Sequence, residues 1–195
     1  MRPLFIVLDG PDGSGTTKQC QLLVENLQKI GISVHSAAEP TNGPIGQWIR
    51  TILRQGDTID PAALQLLFCA DRAEHQKEIR KALQEGKTVI CDRYATSTIA
   101  YGEALGIDSA WLAEMNRAFI QPDILLFTLP PLSICKERVA KRMQKDSLEE
   151  DHLQNKVYKA YERLAKADPS IHLIDTSKSK EENAKDVLHI VQAVH

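Results

Sequence analysis

Five short apolar runs separated by longer segments of helical character constrain this chain more than any other feature. The runs cover 4–8, 32–35, 88–91, 124–129 and 171–174. Between them the apolar spacing predicts helices over 16–29, 44–55, 61–85, 95–105, 109–119, 131–143, 151–167 and 180–194. Strands joined through long helices pair in parallel and bury both faces, so the pattern predicts an α/β fold with a parallel sheet wrapped by helices. Some ends have a physical cause. Asp60-Pro61 offers an N-cap followed by proline at the first helical position, and Gly86 can take the left-handed conformation that ends a helix. Leu64, Leu67, Phe68, Ala70 and Ile79 give the stretch between them an apolar face. No internal repeat, low-complexity tract or linker interrupts the chain, so 1–195 is expected to form one domain.

Charge and cysteine content narrow the function class. The 24 Lys+Arg balance 26 Asp+Glu, for a formal charge of −2, which argues against a surface built to coat nucleic acid or an acidic membrane. No apolar run approaches the roughly 20 residues needed to span a bilayer. The apolar stretch at 4–8 has no small-residue cleavage site after it and reads as a first strand, not a signal peptide. Cys20, Cys69, Cys91 and Cys135 form no C-x-x-C pair and are expected to be buried, reduced thiols, and the histidines show no metal-ligand spacing. A cytoplasmic location is the expectation.

After the first apolar run comes Gly10-Pro11-Asp12-Gly13-Ser14-Gly15-Thr16-Thr17, leading into a helical segment. The glycines let the backbone turn tightly and aim successive N–H groups into one concavity, and the helix adds the positive end of its dipole. This is the context of a P-loop, G-x-x-x-x-G-K-[ST], which cradles nucleotide phosphates. Gly10, Gly15 and Thr17 are in register, but Thr16 stands at the lysine position. Thr17 can still offer its hydroxyl to Mg²⁺. Lys18 is two residues further along the helix, about 200° around it, and is expected to leave from the opposite face.

Later segments carry a family resemblance. Glu39-Pro40-Thr41-Asn42-Gly43-Pro44-Ile45-Gly46, the helix Leu66-Leu67-Phe68-Cys69-Ala70-Asp71-Arg72-Ala73-Glu74-His75, and Asp92-Arg93-Tyr94-Ala95-Thr96-Ser97-Thr98-Ile99-Ala100-Tyr101-Gly102 each resemble a motif of the thymidylate kinases. Pro122-Asp123, Pro130-Pro131 and Glu137-Arg138 continue the match, in order, along nearly the whole chain. The resemblance implies a P-loop kinase fold with a five-stranded parallel sheet, a short lid, ATP and Mg²⁺ as cofactors, a homodimer, and transfer of the ATP γ-phosphoryl to dTMP.

Position by position, the resemblance implies that residues 10–17 hold ATP and that Phe68 stacks on the thymine ring. Arg72 holds the base and a neighbouring phosphate, Arg93 the acceptor phosphate, and Thr98 the thymine edge. Tyr101 lies under the sugar, Glu39 and Ser97 belong to the same substrate site, and Asp12 reaches the ribose 3′-hydroxyl or the Mg²⁺ shell. The residue chemistry agrees. An aromatic face and a guanidinium fork four residues apart on one helix suit a flat pyrimidine. Arginine suits a phosphate acceptor, and Asp92, ending an apolar strand, suits a carboxylate beside Thr17 and Mg²⁺. No carboxylate lies three or four residues from Arg72, so its own helix gives it no ion pair.

The lid is expected at about 141–151, in a run holding Lys136, Arg138, Lys141, Arg142 and Lys145 before Glu149-Glu150-Asp151. Arg142 and Lys145 are the expected lid cations for the transition state, and one of them, or Arg93, is the candidate to cover for Thr16. Three positions depart from the family pattern by lacking a cation: Thr16, Ala38 before Glu39-Pro40, and Ser147 after Asp146. They keep two alternatives open beside a dTMP kinase: a catalytically weakened nucleotide-binding module, and a kinase for another pyrimidine monophosphate.

Overall fold

The computed structural model of the chain describes residues 2–56, 59–141, 148–149 and 151–194. Its sheet has five parallel strands: β1 (Phe5–Asp9), β2 (Val34–Ala38), β3 (Thr88–Asp92), β4 (Ile124–Thr128) and β5 (His172–Ile174), in spatial order β2-β3-β1-β4-β5. The helices are α1 (Thr16–Lys29), α2 (Pro44–Gln55), α3 (Pro61–Gln84), α4 (Ala95–Ala104), α5 (Ser109–Asn116), α6 (Leu132–Ala140), α7 (Asp151–Ala167) and α8 (Lys180–Ala193).

Strand β1 is central, and all five of its residues are buried. Its alternation builds two layers. Leu4, Ile6 and Leu8 pack under α1 and α8 with Leu23, Leu27, Val187 and Val191, whereas Phe5 and Val7 meet Ile79, Ala82 and Tyr94 on the other side. A further cluster joins α2, α4 and α7 around Ile49, Ala100, Phe127, Val157 and Tyr161. Asp60 caps α3 as its position predicts, accepting from Ala62 N (2.9 Å) and Ala63 N (3.2 Å), and Gly86 follows the helix at φ 78°. Ala70, expected on the apolar face of α3, is exposed instead.

The second strand lies further along than its apolar run, at Val34–Ala38 instead of 32–35. The end of α1 takes Ile32: Gly31 turns left-handed at φ 82° and Ile32 N donates to Leu27 O (3.0 Å). Because β2 is an edge strand, Ser36-Ala37-Ala38 can pair with β3 without an apolar signature. Helix α6 ends at Ala140, and the 142–143 end of the expected helix lies outside the described residues. The C-terminal ends of β1, β3 and β4 converge where the strand order reverses, which is where open parallel sheets hold their ligands.

Candidate active site

The glycine-rich loop leaves β1 and enters α1 with no side-chain cap and no acidic residue in the first turn. The first-turn N–H groups are therefore left to an external anion. Gly13 (φ 77°) and Gly15 (φ 94°) are left-handed, and a Cβ at Gly13 would collide with the Cys135 carbonyl. The loop borders a cleft of about 240 Å³ lined by residues 11–18 apart from Asp12, together with Arg93 and Arg138. Lys18, in the first turn of α1, borders this cleft as well. Thr16 is turned inward and buried. Its hydroxyl closes a ring with Ser14 Oγ (3.0 Å) and Thr128 Oγ1 (2.8 Å), and those two lie 2.8 Å apart.

Arg93 stands between this cleft and a second one, lining both. Its backbone is left-handed (φ 71°), the conformation that turns the chain sharply after β3. Nη1 donates to the loop carbonyl of Gly10 (2.7 Å) and to Ser97 Oγ (3.2 Å), and Nη2 donates to Asp12 Oδ1 (2.6 Å). Burial opposes its charge, but Tyr101, Asp12, Tyr161 and Asp9 around it raise its pKa further. Asp12 Oδ2 accepts from Tyr101 Oη (2.6 Å) and Gln154 Nε2 (3.1 Å).

The second cleft, about 130 Å³, is lined by Asp12, Glu39, Pro40, Leu53, Gln65, Phe68, Arg72, Arg93, Tyr94, Ser97, Thr98, Tyr101 and Leu148. Every substrate residue expected from sequence is on this wall. Arg72, however, does have a carboxylate partner, supplied from the loop after β2. Its Nε and Nη2 both reach Glu39 Oε2 (2.8 and 2.7 Å), and Nη1 donates to Thr98 Oγ1 (3.1 Å) and to Asn116 Oδ1. His75 Nδ1 meets the other Glu39 oxygen at 2.9 Å. Ser97 Oγ is engaged by Asp9 (2.6 Å) as well as by Arg93.

Of the three expected metal ligands, the structure brings Thr17 and Asp92 together. Thr17 Oγ1 donates to Asp92 Oδ2 (2.6 Å), while Asp92 Oδ1 is buried with no partner among the described residues. Burial pushes the Asp92 carboxyl above its usual range, against the pull of Arg93 and the Thr17 hydroxyl. An uncommitted carboxylate oxygen beside a hydroxyl fits a hard cation such as Mg²⁺. Asp12, whose charge also raises the Asp92 pKa, has both of its oxygens taken up by Arg93, Tyr101 and Gln154. Arg142, Lys145 and Ser147 lie outside the described residues.

Four residues that the sequence reading left unassigned complete the site. Asp9, wholly buried, accepts from Gly10 N, Ser97 N, Ser97 Oγ and Tyr161 Oη, and so anchors the start of α4 to the end of β1. A lone carboxylate ending an apolar strand was its sequence signal. Gln154 and Tyr161 arrive from α7, and nothing local marks them. Arg138 donates to Gly13 O (3.2 Å) and Thr176 O (2.8 Å), which puts a guanidinium against the phosphate loop.

Comparison with known proteins agrees with this geometry. A family model described as thymidylate kinase matches residues 8–187. The chain is 38% identical over 201 residues to a probable thymidylate kinase of Pyrococcus horikoshii, covering 98% of this chain and 97% of that one. It is 36% identical over 199 residues to a thymidylate kinase of Synechococcus sp. (strain JA-3-3Ab), covering 97% and 95%. Among solved structures, thymidylate kinase from Candida albicans superposes with a TM-score of 0.85 at 26% identity, covering 98% of this chain and 92% of that one.

Proposed function

We infer how the site works from one premise: this chain belongs to the thymidylate kinase family and is an ATP-dependent kinase that phosphorylates dTMP. Nothing in the geometry or among the relatives favours a pure binding module or another acceptor. The observation that carries the residue assignments is Arg93, one cation lining both clefts and bonded to both Gly10 O and Asp12. We assign the glycine-loop cleft to the ATP phosphates and the Phe68–Arg72–Thr98 cleft to dTMP.

In this reading the loop N–H groups, Lys18 and Arg138 neutralise the donor phosphates, and Arg93 holds the acceptor phosphate against them. The dTMP phosphate is largely dianionic near neutral pH, its second pKa being about 6. It therefore needs no general base. One of its oxygens attacks the γ-phosphorus while the bridging oxygen leaves with ADP, giving dTDP. The chain contributes alignment and charge stabilisation. Phe68 stacks on the base and Asp12, fixed by Arg93, Tyr101 and Gln154, faces the sugar. Mg²⁺, when bound, neutralises the transferring phosphoryl group, with Asp92 and Thr17 as its protein contacts. Among the described residues no three His, Cys, Asp or Glu side chains cluster, so the chain itself would offer such an ion only this small set of oxygens.

We also propose that the chain works as one domain over 1–195, with a lid at about 141–151 in which Arg142 and Lys145 add charge over the donor. We propose cytoplasmic residence as well. Homodimerisation is proposed through α2 and α3, where Trp48 on α2 (57% exposed) and Leu66 on α3 (50%) are exposed, Leu66 one and two turns before the exposed Ala70 and Ala73. The test is ADP release from MgATP with dTMP, for the wild type and Arg93→Lys. Loss of at least a hundredfold in turnover is expected, because a lysine cannot span both clefts. Full activity in Arg93→Lys would sink the assignment.

A further inference from the structure

Gln65 sits on α3 one turn before Phe68 and two before Arg72, so all three project from one helix face. It is fully buried, at 0% exposure, and lines the dTMP cleft. Its Cγ lies 3.2 Å from where a Cβ on Gly102 of α4 would stand, so the bare backbone of Gly102 is what admits it. Neither Nε2 nor Oε1 has a hydrogen-bond partner among the described residues, and no other side chain there has both ends of a buried amide unpaired. Burying an amide without partners is costly, and an apolar residue of the same length would avoid that cost.

The neighbouring polar groups are already committed. Arg72 directs its nitrogens to Glu39, Thr98 and Asn116. A pyrimidine with a carbonyl beside an imide N–H presents an acceptor and a donor side by side, and an amide matches that edge with two parallel hydrogen bonds. We propose that Gln65 is a base-reading residue of this enzyme: Nε2 donates to a ring carbonyl and Oε1 accepts the adjacent imide N–H. The proposal rests on the assignment of this cleft to dTMP. It adds to Phe68 and Arg72 a specificity determinant whose two bonds form only when the base arrives.

The test compares wild type, Gln65→Met and Gln65→Glu, with dTMP and its N3-methyl analogue as acceptors. Gln65→Met removes both polar atoms at nearly constant shape. It is expected to raise KM for dTMP about tenfold or more, leave kcat within about twofold and KM for ATP unchanged, and not lower Tm. Gln65→Glu keeps the acceptor and loses the donor, and is expected to fall between the two. In the wild type the N3-methyl group removes the imide proton and weakens binding, and this penalty is expected to shrink several-fold in Gln65→Met. An equal N3-methyl penalty in both proteins, or an unchanged KM for dTMP, overturns the proposal. A fall in Tm with KM raised alike for both acceptors also overturns it, because that is the signature of a packing role. Absence of dTMP-dependent ADP release in the wild type would count against the kinase assignment instead; calorimetric dTMP binding to wild type and Gln65→Met then reads the Gln65 proposal separately.

Discussion

Replacing Glu39 by leucine should cost far more stability than any exposed ion pair in the molecule. Glu39 and Arg72 have side-chain exposures of only 3% and 1%, and Glu39 also meets His75. Removing the carboxylate leaves the Arg72 guanidinium buried without a counter-charge, beside the neutral oxygens of Thr98 and Asn116 and the rings of Tyr94 and Phe119. Stranding one member of a buried pair in this way costs about 3–5 kcal/mol. For a chain of this length each kcal/mol moves Tm by roughly 2–4 °C, so Glu39→Leu should melt about 6–20 °C below wild type. The double variant Glu39→Leu/Arg72→Met removes both charges. It should regain at least half of that loss in urea denaturation, the remainder being the Asn116 and His75 groups that lose their partners. Neither protein should phosphorylate dTMP well, because Arg72 lines the cleft assigned to dTMP. The control Lys77→Ala breaks an exposed pair with Glu74 and should change Tm little. A Glu39→Leu loss below about 1 kcal/mol, or a double variant no more stable than Glu39→Leu alone, would refute the stranded-charge argument.

Other perturbations separate the remaining parts of the site. Asp92→Asn removes a carboxyl that burial keeps above its usual pKa, so the free protein should be no less stable near neutral pH, while the rise in Tm on adding MgATP should largely disappear. Gly13→Ala forces a left-handed residue costing about 1–2 kcal/mol, and its Cβ meets the Cys135 carbonyl; both Tm and ATP affinity should fall. The Cys135 thiol is pushed up to about 11 by burial, so its stabilising contribution is full below its usual value near 9 and declines as pH rises through about 11. Native protein at pH 8 should accordingly react slowly with a disulfide reagent at Cys135, as at the other buried cysteines, until it unfolds. Lys18→Ala should raise KM for ATP up to a few-fold, the ~0.2–1 kcal/mol that one partly exposed ion pair contributes; an unchanged KM would return Lys18 to the solvent.

How far the chain could be read from sequence depended on whether the deciding contact was local. Helices α1, α2 and α7 fall where their apolar periodicity puts them, because caps, glycines and prolines act within a few residues. Strand β2 was displaced because its identity comes from pairing with β3, not from its own residues. The same division runs through the site. Gly13, Gly15 and Asp92 are legible as loop and strand-end chemistry. The partner of Arg72 is not, since Glu39 lies 33 positions away and a search at helical spacing sees only α3. Gln65 did leave a signal. It stands three residues before Phe68 and seven before Arg72, a polar side chain on the stripe that lines the cleft assigned to dTMP.

The missing P-loop lysine is best understood from the ring that replaces it. Three hydroxyls, of Ser14, Thr16 and Thr128, lie pairwise within 3.0 Å, and Thr128 Oγ1 also donates to Asp9 O (3.3 Å), so all three are engaged within the loop floor. All three are buried at 5% exposure or less, so no hydroxyl of the ring is free for a phosphate. Thr16 is therefore a structural residue of the loop floor, and phosphate charge has to be met from other elements. Among the described residues the cations on that cleft are Lys18, Arg93 and Arg138, delivered by α1, the end of β3 and α6. Arg138 is tied to loop carbonyls and Arg93 to Asp12, while Lys18 stands in the first turn of α1 with no acidic residue beside it in that turn. Restoring lysine at position 16 would break the ring and place a fourth cation among three already positioned. Thr16→Lys should then lose loop stability without a matching gain in turnover. A large gain would show that the distributed cations do not compensate.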